Sequence, residues 1–190
     1  MTSEKRFLSD SVCVRTALSW DTEGKAPCDL DLSAFLLGAD GKVRGDNDLI
    51  FYNTEVAVLT EGSFFHSGDS LTGSPGDGVD ESILAVLDKI DADICRVAFC
   101  VTVVSAEGEK RLSSASHAVF TANVVSDPFE KDGQEICRVD LLADDPDTEG
   151  VAVFELSRTS DGWTYEVPSQ PVMGNLAALC GAFGLEVVEG

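Results

Sequence analysis

The sequence predicts an all-β sandwich of two antiparallel sheets with a short C-terminal helix, built as one domain over residues 1–190. Three observations carry this. Short apolar and β-branched runs recur between turn signals, at residues 12–18, 30–37, 49–52, 82–87, 94–104, 118–125, 135–142, 151–158 and 163–167. Asp-Gly pairs at Asp40-Gly41, Asp132-Gly133 and Asp161-Gly162 mark tight turns between such runs. Only the tail carries a helical period, with Leu176, Leu179, Cys180 and Phe183 spaced i, i+3, i+4, i+7. Asn175 is placed to cap that helix and Gly184 to stop it. Many strands and one short helix bury their apolar faces best as two packed sheets. A chain of this length supports one domain with its own core.

Composition narrows the function. Lys and Arg number 13 against 34 Asp and Glu, a net charge of −21. Nucleic acids and anionic membranes require a basic footprint, so neither is an expected partner. No run approaches the roughly 20 apolar residues of a spanning helix, and direct membrane insertion is not expected. Residues 1–10 lack the apolar core of a secretory signal, which predicts a cytoplasmic protein. The six cysteines, Cys13, Cys28, Cys95, Cys100, Cys137 and Cys180, form no C-x-x-C pair, and the only histidines are His66 and His117. Structural zinc uses closely paired Cys or His. These cysteines are therefore expected to be reduced and mostly buried as small hydrophobes.

The acids are unevenly spread. Residues 21–93 hold 16 acids and four bases. Asp29 and Asp31 open a predicted strand, and residues two apart on a strand share a face. Asp46 and Asp48 precede the run 49–52 and are expected to repeat that geometry. Asp69 lies in a Gly68-Asp69-Ser70-Leu71-Thr72-Gly73 loop, and Asp77, Asp80 and Glu81 follow. Residues 67–80 form the one long segment without a strand pattern, where function tends to concentrate. If these strand mouths meet, two carboxylates about 5 Å apart repel by roughly 3 kcal/mol at an effective dielectric near 20. A divalent cation removes that cost. Calcium takes about six to eight oxygen ligands in irregular geometry, whereas magnesium demands a strict octahedron. Soft metals lack a thiolate or imidazole set here. Two other readings of the same acids are a metal-free interaction module for a basic partner and a salt-adapted solvated surface.

The order of these groups resembles the TerD family of tellurite-resistance and stress-response proteins. The likeness is carried by Trp20-Asp21, Asp29-Leu30-Asp31-Leu32-Ser33, Gly41-Lys42-Val43 and the run from Asp46 through Asn47, Asp48, Leu49, Ile50, Phe51 and Tyr52 to Asn53. It continues through the loop from Gly68 to Gly73, the acidic run from Asp77 to Glu81, Val97 to Thr102, Glu135 to Leu141 and Gly174 to Leu179, spanning about residues 12–188. The resemblance implies a β-sandwich with about two Ca2+ ions at one end. It implies a ligand pool of Asp29, Asp31, Asp46, Asp48, Asn53, Asp69, Thr72, Asp77, Asp80 and Glu81, completed by backbone carbonyls. It further implies docking to protein partners in a stress-response complex. Two departures stand out. Only 19 residues precede Trp20, which predicts a shortened N-terminal edge, and Val79 stands where an acid is common.

Enzyme readings fare poorly. Gly68-Asp69-Ser70-Leu71 spells the opening block of one esterase class, but that serine needs a late Asp-x-x-His as base, and none exists here. The sequence has no G-x-S-x-G, no G-x-x-x-x-G-K-[ST] and no G-x-G-x-x-G. His66 and His117 read as ordinary strand histidines. The expectation is a binding protein without catalytic residues.

Overall fold

A computed structural model describes residues 6–52, 57, 60–73, 78–106, 110–130 and 133–186. Eleven strands run through them: β1 (Arg6–Leu8), β2 (Cys13–Asp21), β3 (Cys28–Leu37), β4 (Leu49–Ile50), β5 (Phe64–His66), β6 (Glu81–Val86), β7 (Arg96–Ala106), β8 (His117–Val125), β9 (Gln134–Asp140), β10 (Gly150–Thr159) and β11 (Gly162–Glu166). A C-terminal helix, α1 (Leu176–Phe183), follows. A six-stranded sheet takes the order β1-β11-β10-β7-β3-β4 and a five-stranded sheet the order β5-β6-β2-β8-β9. All pairings between these strands are antiparallel. The expected two-sheet sandwich with one C-terminal helix is the observed fold.

Two strands escape the sequence reading, and both are three residues long. β1 pairs with β11 and forms one edge of the six-stranded sheet. β5 pairs with β6 and borders the acidic loop. Neither carries enough alternation to announce itself. Asp161-Gly162 forms the β10–β11 turn, with Gly162 at φ 135. Asp132 lies outside the described residues.

The sandwich interior is filled by large side chains from both sheets, among them Trp20, Phe64, Phe99, Phe120, Phe154 and Trp163. β3 is buried along its whole length, which a strand facing solvent on one side would not be. Its two faces do different work. Leu30, Leu32, Ala34 and Leu36 point into the sandwich core. Phe35 and Leu37 point outward and pack beneath α1 with Leu179, Cys180 and Phe183. The same outward register carries Asp29, Asp31 and Ser33, all buried. One strand therefore presents an apolar half to the helix and an acidic half to the loops beyond it. Between Asp29 and Leu30 the pairing skips Val104, so the extra residue belongs to β7 and the alternation of β3 is intact.

α1 follows the sequence reading closely. The Asn175 side chain accepts the Ala178 N–H at 3.0 Å, and Gly184 closes the helix at φ 84. Asn175→Ala is expected to cost about 1 kcal/mol, the usual value of a lost N-cap. Differential scanning calorimetry would read this as a midpoint lowered by about 2–4 °C. An unchanged midpoint would mean that packing alone holds the helix. The cysteines form no disulfide, and all except Cys95 are buried.

Candidate metal centre

The outward acidic half of β3 meets the loop between β5 and β6. One carboxylate oxygen from each of Asp29, Asp31 and Asp69 falls within 4.8 Å of the other two. Asp29 and Asp31 come from the alternation of β3, and Asp69 is delivered by residues 67–73. Oδ1 of Asp29 and Oδ1 of Asp31 are buried and have no hydrogen-bond partner among the described residues. Ser33 Oγ and Thr102 Oγ1 are in the same state, and Thr102 pairs with Asp31 across the sheet. Leaving such oxygens dry and unsatisfied costs about 1–3 kcal/mol each, more when they are charged. A bound cation is a physical reason to keep them.

Glu81, the first residue of β6, is fully buried beside this group. β4 covers β3 only at Ala34 and Phe35, so the strand edge is open at Leu32. Side chains close it. Glu81 Oε2 accepts the Leu32 N–H at 2.9 Å, and the Leu32 carbonyl accepts a hydrogen bond from His66 Nε2 at 3.0 Å. Glu81 Oε1 accepts the Ser70 N–H at 3.2 Å, tying the loop to the same edge.

Crowding and dryness act together on the titrations. Burial, then Asp69, raises the Asp29 carboxyl to about 6. Burial, then Asp29 and Asp69, raises Asp31 to about 7. Burial raises Glu81 to about 8 despite its two backbone hydrogen bonds. The Tyr52 phenol is raised by burial and then by Asp31, Asp69, Asp29 and Glu81, which puts it at the rim of the cluster. At neutral pH Asp31 and Glu81 therefore keep protons that ordinary carboxyls have lost.

The other expected ligands are distributed differently. Asp46 and Asp48 do not repeat the Asp29/Asp31 geometry, because residues Asp46–Asp48 form a 3-10 turn rather than a strand mouth. Asp46 is exposed. Asp48 is buried and held by Arg44, whose Nε and NH2 group donate at 2.9 Å and whose backbone N–H donates at 2.8 Å. A neighbouring guanidinium supplies the countercharge at Asp48. Asp80 accepts the Trp20 N–H at 3.0 Å and so fixes the end of the loop against β2. The Thr72 carbonyl accepts from Ser70 Oγ, and the Thr72 side chain is exposed. Asn53 and Asp77 lie outside the described residues. Sequence reasoning passed over His66, whose ring is only 3% exposed and bonded to both β3 and the loop. Its signal was its position two residues before the Gly68-Asp69 turn.

Gly73 seats the end of this loop. A Cβ there would collide with the Trp20 carbonyl, which is backbone and cannot swing away. Gly73→Ala is expected to destabilise the protein by about 1–3 kcal/mol, as overpacking does. Thermal melts would test this, and a wild-type midpoint would show that the loop does not seat on Trp20.

The family model of the TerD domain matches residues 7–183. The chain belongs to the TerD domain family. It is 37% identical over 176 residues to the tellurium resistance protein TerD of Serratia marcescens, covering 90% of this chain and 87% of that relative. It is 34% identical over 177 residues to general stress protein 16U of Bacillus subtilis, covering 92% and 88%. Among solved structures, a homologue of the telluride resistance protein TerD from Streptomyces coelicolor superposes with a TM-score of 0.69. That likeness covers 88% of this chain and 95% of that one at 19% identity, and it speaks to the fold. The TerD match begins at residue 7, inside β1, so the short edge strand falls within the family domain. Among the described residues no helix is long and apolar enough to cross a membrane.

Proposed function

We propose that this TerD-family chain binds calcium through Asp29, Asp31 and Asp69, with Glu81 as the adjoining buried charge, and acts in a stress response of the tellurium-resistance type. The observation that carries the reading is the pair of buried, unsatisfied Oδ1 atoms within a three-carboxylate cluster. The donors are all hard oxygens, which suits calcium and disfavours zinc or copper. The irregular source of the ligands, one strand and one loop, suits calcium better than magnesium. Relatives named for tellurium resistance and for general stress support the wider role.

In this reading the ion fastens residues 67–73 onto β3. The loop face so ordered is the surface offered to a partner protein. Calcium thereby links an ionic signal to docking, and no chemistry is performed on a substrate. Ser70, in the esterase-like block, donates its hydroxyl to the Thr72 carbonyl rather than to a base.

Thermal melts of EDTA-stripped protein with added calcium or magnesium test the proposal. At a hundredfold excess over Kd a native-state ligand contributes about 2.7 kcal/mol, a midpoint rise of several degrees. Calcium is expected to produce that rise at lower concentration than magnesium. No rise with either ion at millimolar concentration would leave a metal-free acidic docking module as the better account.

A further inference from the structure

We infer that His66 is a positioning residue for the cation: its imidazole is the strut that holds the loop ligand at the correct distance from the strand ligands. The inference rests on the calcium reading above. Asp29 and Asp31 ride on β3 of the six-stranded sheet, whereas Asp69 follows β5 of the five-stranded sheet. Among the described residues no strand pairing joins those two elements. The His66 ring does. Its Nε2–H donates to the carbonyl of Leu32, the neighbour of Asp31, at 3.0 Å. Its Nδ1 accepts the N–H of Gly68, the neighbour of Asp69, at 3.0 Å. Each arm therefore ends one residue from a carboxylate of the cluster.

Both ring nitrogens are committed in one tautomer, so no lone pair is left for the ion. The imidazole acts through the residues that it holds. Gly68 makes the second arm possible, because its φ of 101 turns the chain so that its amide faces Nδ1. Burial excludes competing water, the ring being 3% exposed. Glu81 makes a parallel tie from Leu32 to Ser70, but it also presents charge to the ion. His66 presents none, so its contribution to affinity is separable as geometry. Partners that orient metal ligands are worth about 10–100-fold in affinity when removed.

The test is calcium affinity and release rate for wild type and for His66→Ala, His66→Asn and His66→Gln, with hydrogen exchange at Gly68 in the metal-free protein. Asn places an acceptor near the Nδ1 position and Gln a donor near the Nε2 position, so each restores one arm. Thr16→Val is the control. It removes another buried side-chain hydrogen bond, from Thr16 Oγ1 to the Ile83 carbonyl.

The strut predicts that His66→Ala weakens calcium by at least about tenfold, mainly through faster release. It predicts partial recovery in Asn or Gln, faster exchange at Gly68, and an unchanged affinity in Thr16→Val. If wild type binds calcium and His66→Ala binds within twofold of it, the strut is wrong and the calcium reading stands. An equal loss in Thr16→Val would also overturn the strut, as general destabilisation. If wild type shows no saturable binding, the calcium reading fails and the strut with it.

Discussion

Stripped of divalent ions, the protein is expected to lose stability as pH rises from 6.5 to 8, and saturating calcium is expected to abolish that loss. Asp31 and Glu81 titrate in the folded state near 7 and 8, above their ordinary values of 3.8 and 4.5, and both shifts come first from burial. In this window the native state binds protons that the unfolded state has released. The derivative of unfolding free energy with pH is then negative, so stability present in acid disappears as pH climbs through the folded values. His66 acts with the opposite sign. Burial lowers its folded pKa, so it penalises the native state only below its ordinary 6.5. Above 6.5 the carboxyls act without that opposition. Together they amount to a loss on the order of 2 kcal/mol, or a midpoint fall of about 4–8 °C for a chain of this size. Calcium reverses the effect because it binds the ionised carboxylates. Urea unfolding across the pH range, with EDTA and then with calcium, reads both arms. A flat profile in EDTA would mean that the cluster is hydrated and the carboxyls titrate normally.

Asp31→Asn is expected to stabilise the metal-free protein while destroying calcium affinity. Asp31 is as buried as Asp29 but feels both of its neighbours, with Asp29 and Asp69 each raising its pKa after burial. The amide keeps the volume and loses the charge. At pH 8 the metal-free variant is expected to gain at least about 1 kcal/mol, from desolvation and repulsion no longer incurred. Calcium affinity is expected to fall by about a hundredfold or more, because ligand charge sets calcium affinity. Chemical denaturation in EDTA and calcium titration on the same preparation test the pair of effects. An Asn variant that is less stable in EDTA would show that Asp31 makes a structural hydrogen bond in the folded chain. Asp48→Asn makes the contrast. Asp48 already has the Arg44 guanidinium as its partner, so loss of its charge should weaken the 3-10 turn and leave calcium affinity unchanged.

What was legible in the sequence follows from how local the determinants are. Asp29 and Asp31 could be placed together because a strand repeats every two residues and the alternation of β3 is unbroken. The helix could be placed because its cap, its apolar stripe and its terminating glycine lie within ten residues. Asp46 and Asp48 were misplaced for a local reason of another kind. Arg44 reaches forward four residues and draws the chain into a 3-10 turn, an ion pair that strand patterning does not register. The strut at His66 is non-local. It depends on β5 and β3 meeting at an edge that β4 leaves open, and neither the brevity of β4 nor the presence of β5 is written in alternation. Asp69 could be picked out as an acid in the one long patternless loop, but its meeting with Asp29 and Asp31 could not be placed, since a loop carries no period.

Calcium titration calorimetry at pH 7, repeated in two buffers of different ionisation enthalpy, tests the central claim most directly. Metal binding to protonated ligands must release protons. Asp31 and Glu81 are largely or partly protonated at that pH in the metal-free state. Saturable calcium binding is expected, with release of on the order of one proton per ion. Saturable binding without proton release would place the ion among ordinary exposed acids, and absence of saturable heat would contradict calcium binding by this chain.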